Sequence, residues 1–313
     1  MRSTLKGVSL IPLLCGLLAM GCVASGTTPH QGKDDFGVLV MAHGGSEDWN
    51  RAVRAAVTPL ESHYPIDLAF GMADPNTLQE SVERLEKRGA HRIAVVRLFV
   101  SGESFKERTA QILGIESGAP PRPMKAGHTM HEGHDNSGEH NMALWRISSA
   151  AAFAMSDDGL LDAPEMGAVL AERAAALSRH PEVEDVLILA HGPGDDAENA
   201  RWLAKLNARA EAVRRSKPFR RVSVETLRED WPEQRVDAER RIRAFVERAR
   251  AERGTAIVLP FRVQGFGPYA EVLKPLEYVS DGVGLLPDPK VAGWIEHQAE
   301  ALRAGPFRSA SSP

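Results

Sequence analysis

Three features of this 313-residue chain predict an α/β protein of two parallel-sheet halves related by internal duplication. The run Val38 to Gly45 (VLVMAHGG) returns as Val186 to Pro193 (VLILAHGP), so His43 and His191 occupy equivalent places after a short β-branched stretch. Apolar runs of strand length alternate with segments of helical period in both halves, the pattern of β-α-β units. A composition of 43% apolar and 26% charged residues supplies a sizeable core at a length that suits two domains.

Taken in order, residues 36–42 read as a strand, 48–64 as a helix, 66–72 as a strand, 76–88 as a helix, 93–100 as a strand and 104–113 as a helix. Residues 142–153 and 163–178 read as helices of a connecting segment. The second half repeats the order with strands at 186–190, 222–227 and 256–261, and with helices at 197–215 and 232–253. Its connections are longer. The organisation expected is a signal segment over 1–24, a tether over 25–35, an N-terminal lobe over 36–114, a His-rich loop over 115–141, a helical connection over 142–182 and a C-terminal lobe over 183–300.

Arg2 and Lys6 precede an apolar stretch from Val8 to Met20 that is too short to span a bilayer comfortably, which predicts export. Ala19-Met20-Gly21-Cys22 resembles a bacterial lipobox with Cys22 as the lipidated residue; cleavage after Ala24, leaving a periplasmic protein, is the alternative. Cys15 and Cys22 are the chain's two cysteines, so the mature fold has neither a disulfide nor a thiolate ligand. Any metal site therefore uses His, Asp or Glu. The net charge of -4 carries no electrostatic footprint for nucleic acid. With neither a phosphate loop nor a complete dinucleotide fingerprint, no nucleotide cofactor is expected. The arginines of 235–253 alternate with acids at helical spacing and read as a solvent face laced by ion pairs.

A His-Gly at the carboxyl end of a buried strand sits where open parallel sheets bind ligands. The glycine permits a tight turn beside the ring, and a neutral imidazole coordinates divalent metal or accepts a proton. His128, His131, His134 and His140, with Glu132, Asp135 and Glu139, form a second cluster on the loop, suited to gathering Zn2+, Ni2+, Co2+ or Cu2+.

Ala42-His43-Gly44-Gly45-Ser46, Phe70-Gly71-Met72-Ala73 leading to Pro75-Asn76-Thr77-Leu78, and the strand ending at Gly102 together resemble the class II tetrapyrrole chelatases, in particular the CbiX-type sirohydrochlorin chelatases. The resemblance is best over 36–114 and looser over 185–297. It implies two flavodoxin-like lobes facing across a cleft, where a divalent metal (Co2+, or Fe2+, Ni2+ or Zn2+) enters a tetrapyrrole without ATP. His43 then matches the metal-binding histidine, and Gly44, Gly45 and Ser46 the cleft floor.

The family's second histidine, after the third strand, is absent from Phe99-Val100-Ser101-Gly102-Glu103-Ser104. Glu103 is the nearest replacement, as a ligand or a proton acceptor, with a helix-start acid as its plainer reading. The matching turn of the second half, Arg262 to Tyr269, has neither a histidine nor an acid; its Gly265, Phe266 and Gly267, with Gly102 opposite, suit packing against a flat ring. His191 reads as a ligand reaching across the cleft or as a relic of duplication. The function expected is metal insertion by an exported chelatase; the alternative is a non-catalytic binder of metal or tetrapyrrole that uses the same cleft and the His-rich loop.

Overall fold

A computed structural model of the chain describes residues 35–123 and 143–309. The expectations for the signal segment, the tether before Asp35 and loop histidines 128, 131, 134 and 140 lie outside the described residues. The first half runs β1 (Phe36–Ala42), α1 (Glu47–Val57), β2 (Ile66–Phe70), α2 (Pro75–Lys87), β3 (Arg92–Leu98), α3 (Lys106–Leu113), β4 (Ala152–Met155) and α4 (Pro164–Leu177). The second runs β5 (Glu184–Ala190), α5 (Asp196–Ser216), β6 (Arg221–Thr226), α6 (Pro232–Ala251), β7 (Thr255–Phe261), α7 (Tyr269–Leu273), α8 (Pro289–Arg303) and β8 (Arg308–Ser309).

One sheet has the order β2-β1-β3-β4-β8, parallel except for β8, and the other has the order β6-β5-β7, all parallel. The two parallel-sheet lobes are present. In register, Ala42 pairs with Phe70 and Leu98, and Ala190 pairs with Thr226 and Phe261, so β2, β1 and β3 end together in one sheet and β6, β5 and β7 in the other.

Because side chains alternate along a strand, each central strand serves two cores. Val38, Val40 and Ala42 of β1 and Val186, Ile188 and Ala190 of β5 meet in one cluster shared by the lobes. Leu39 and Met41 turn to the α2 side, and Leu187 and Leu189 to the α6 side. The shared core also holds Met166, Val169 and Leu170 of α4 and Trp294 and Ile295 of α8. The lobes exchange helices here: α4 packs on α5 and β7, while α8 crosses back to α1, β1 and β3. This corrects the expected grouping, in which residues up to 300 belonged with the second lobe. The cause is the shared apolar face, which neither sheet can bury alone.

The expected helix over 142–153 is also corrected. Trp145, Ile147, Ala151 and Phe153 are buried at spacings of two and four, and the segment runs extended into β4, which pairs with β3. The period is that of a strand. On α6 the expected ion-pair lacing is present, with Arg235 on Glu239 at 2.7 Å and Arg248 on Glu252 at 2.9 Å.

Candidate functional site

Both sheet mouths open into one cleft of about 810 Å3, within the range of small-molecule sites. His43 and His191 both line it. From the first lobe come Trp49, Met72, Phe99, Val100 and Phe105, an apolar and aromatic wall. From the second come Trp202, Trp231 and Val263, with the acids Asp195, Glu198, Glu229 and Asp230 and the single guanidinium Arg262. One wall is greasy, and the other is largely acidic.

His43 is exposed at the end of β1, and its Nδ1 lies 2.7 Å from the Gly44 carbonyl. A carbonyl can only accept, so Nδ1 carries the proton and the neutral ring keeps its lone pair on Nε2. That lone pair can take a metal ion or a proton. Gly44, at φ +78°, makes the turn that no side chain adopts cheaply, and a Cβ there would come 3.2 Å from Phe70 Cβ. Gly45 packs on Trp49, and Ser46 caps α1 by accepting the Trp49 N–H at 3.3 Å. Gly44, Gly45 and Ser46, expected as the cleft floor, instead shape the turn and start the helix; Trp49 is the wall they position.

His191 is held from both sides. Its Nδ1 pairs with Glu229, and its Nε2 lies 3.2 Å from Asp230 Oδ2, while the Trp231 ring packs edge-on at 5.7 Å. Nδ1 is tied to Glu229 and Asp230 stands beside Nε2, so a metal ion on either nitrogen meets a carboxylate already in place. The same Glu229 Oε1 receives Arg262 Nη1 at 2.6 Å. Burial alone would raise the Glu229 carboxyl, but the His191 hydrogen bond and the Arg262 charge outweigh it and hold the group at about 2. Arg228, itself buried at φ +56°, staples the turn: its N–H donates to the His191 carbonyl at 2.6 Å and its Nε to the Pro193 carbonyl at 2.8 Å.

The second half is therefore better equipped than its sequence suggested. Glu229 and Asp230 follow β6, whereas the turn after β7, Arg262 to Tyr269, carries no acid. The turn after Thr226 takes the place of the turn after Phe70, and each leads into a helix that begins with proline, but the first-half turn supplies only the α2 cap Asp74, so the repeat marks the place and not the acids.

Glu103 lies outside the cleft lining. Arg201 of α5 grips it at 2.5 and 3.1 Å, and that hydrogen bond lowers the Glu103 carboxyl. It ties the lobes together rather than lining the cleft. Gly102 is likewise a packing residue, since a Cβ there would lie 2.1 Å from the Asp157 carbonyl oxygen. The buried Arg97 gathers this loop, donating to the carbonyls of Gly102 at 2.7 Å, Ser104 at 2.8 Å and Ser156 at 2.7 Å, and burial lowers it to about 10. Phe266 stacks on Tyr278 at 5.9 Å under the second sheet, and Gly267 makes room for the Arg262 side chain. Gly265, at φ +74°, turns the chain. None of these three reaches the cleft lining.

Among the described residues, no three of His, Cys, Asp and Glu converge to hold one ion. The candidates are His43 alone on one wall and His191 with Glu229 and Asp230 on the other.

No family model and no curated protein matches the chain. Solved structures do. The Bacillus subtilis SirB with Fe3+ superposes at TM-score 0.58 and 13% identity, over 86% of this chain and 96% of its own. A cobalt complex of the sirohydrochlorin chelatase SirB from Bacillus subtilis subspecies spizizenii gives 0.52 and 14%, over 88% and 99%. The chain shares the fold of these two structures. A multi-domain Deinococcus radiodurans protein described as similar to chelatases matches at TM-score 0.47 and 19% identity, over 89% of this chain. The present chain spans 56% of that protein.

Proposed function

We propose that this protein is an exported chelatase that inserts a divalent metal, Co2+ or else Fe2+ or Ni2+, into a sirohydrochlorin-type tetrapyrrole without a nucleotide. The observation that carries the reading is the meeting of His43 and His191, from opposite lobes, on one cleft walled by aromatic side chains. A flat macrocycle between those walls would present its nitrogens to both imidazoles, and its faces would stack on Trp49, Phe105 and Trp231. His43 Nε2 is the donor with a lone pair to offer the metal.

Each insertion releases two pyrrole protons. Glu229, held at about 2, is too weak a base to keep one near neutral pH and serves as a fixed anion beside His191. Asp230, 70% exposed at its side chain, opens the path from the cleft to water. Fixing the ring in a distorted form between rigid walls would lower the barrier further. The His-rich loop would gather metal for the cleft. Arg2, Lys6 and the apolar stretch after them support the export, with either lipid at Cys22 as an anchor or cleavage after Ala24.

A second reading, a non-catalytic holder of metal or ring, is favoured by one observation: His191 is already engaged by two carboxylates, and no third ligand joins His43 among the described residues. Anaerobic incubation with sirohydrochlorin and Co2+ separates the two. The chelatase reading expects many ring spectra to shift per protein, faster than in buffer; a single stoichiometric shift would establish the holder.

A further inference from the structure

Arg262 stands one residue beyond β7, and His191 one residue beyond β5, at paired strand ends. Between them, Glu229 Oε1 is shared by His191 Nδ1 and Arg262 Nη1, the latter at 2.6 Å. The other oxygen, Glu229 Oε2, is buried without a hydrogen-bond partner. An imidazole and a carboxylate with a spare buried oxygen form part of a divalent-metal site; here the guanidinium holds the cation's place on the carboxylate, and metal joining the two would release the proton between His191 Nδ1 and Glu229 to water. Its seat is specific: Cζ lies 5.7 Å from the Tyr269 ring centroid, and a Cβ at Gly267 would come 2.8 Å from it. The Arg262 side chain is nevertheless 26% exposed on the cleft, within reach of an anionic ligand.

We propose that Arg262 is a resident cation that closes the His191–Glu229 couple to divalent metal until a carboxylate of a bound ligand draws the guanidinium away. Arginine binds carboxylates through a planar two-point fork, so a carboxylate-rich ring is the chemical class that would compete with Glu229 for it. The order of events is then ring first, metal second. By linkage the metal and the ring strengthen each other's binding. The ring half of this inference rests on the function proposed above, and the metal half does not.

The test is titration of the full chain with Co2+ alone, read by calorimetry and by the visible spectrum of the bound ion. Arg262→Gln is expected to bind Co2+ at one site at least tenfold tighter than wild type, and the gain is expected to vanish in Arg262→Gln/His191→Ala. Arg262→Lys, which keeps the charge, is expected to stay within about threefold of wild type. The His-rich loop contributes equally to every variant and cancels. A second arm uses unaltered protein: zinc uroporphyrin, carboxylate-rich and already metallated, should tighten Co2+ binding at the same site.

Equal or weaker Co2+ binding by Arg262→Gln overturns the inference, as does the absence of any effect of zinc uroporphyrin on the wild type. Metal insertion by a protein whose Arg262→Gln variant gains no Co2+ would sink this inference and leave the proposed function standing. A gain of Co2+ without any insertion would do the reverse for the metal half.

Discussion

Replacing Trp294 by alanine tests the helix exchange that builds the cleft. Trp294 lies on α8 with 1% of its surface exposed, in the core shared by both lobes. A buried tryptophan removes about 200 Å2 from water, which at ~25 cal/mol per Å2 is roughly 5 kcal/mol as an upper bound. Truncations of this kind cost about 3–5 kcal/mol once the cavity has partly relaxed. Against a total stability on the order of 5–15 kcal/mol, the loss is large. In urea, with a slope of about 3 kcal/mol per M, the midpoint should fall by roughly 1–1.7 M. Because α8 joins the C-terminal end of the chain to the first sheet, fluorescence and circular dichroism should shift together in one transition. A midpoint moved by less than about 0.3 M, or a first lobe that melts separately while the second is untouched, would refute the shared core.

Glu229 makes stability depend on acid. Its carboxyl falls from the ordinary 4.5 to about 2 in the fold, which corresponds to about 3 kcal/mol. With the folded value depressed, that contribution is complete above pH 4.5 and is lost as pH falls towards 2; urea melts of wild type should show the loss, and Glu229→Gln should flatten it. Glu103→Gln should cost less than about 1 kcal/mol, because its pair with Arg201 is exposed, and should keep the Co2+ stoichiometry. Loss of a bound Co2+ in that variant would restore Glu103 as a ligand. Deleting residues 128–140 should lower the number of metal ions bound while leaving turnover at saturating metal intact; equal loss of both would bring the loop into the active site.

The central strands were legible because each is a β-branched run closed by His-Gly, and β1 spans the residues expected of it. The starts of α1 and α5 lie within one residue of those expected, but their caps, Ser46 and Asp195, emerge only in the structure. What α8 packs against was not legible. An amphipathic pattern states that a face is buried and is silent on which sheet buries it. The segment before β4 was misread because its alanines and serines suit a helix, while the strand-like spacing of Trp145, Ile147 and Phe153 carried the correct answer.

At the site, the duplication revealed both histidines. The acids after β6 have no counterpart in the first half, whose matching turn is Gly71-Met72-Ala73 followed by the α2 cap Asp74, so the repeat did not encode them. Glu103 looked like a ligand by its place in the chain, and only the approach of α5 shows Arg201 claiming it. Arg262 was visible in the sequence. Its contact with Glu229 depends on two loops meeting at the mouth of the second sheet, and no local pattern encodes that.

The claim that both imidazoles serve one ring is tested most directly by rates of Co2+ insertion into sirohydrochlorin for wild type, His43→Ala, His191→Ala and the double variant. The account predicts that either single change lowers the rate on the order of 100-fold and that the double loses little more, since the two act as a unit. Independent, multiplying losses, or a His191→Ala variant as fast as wild type, would contradict it.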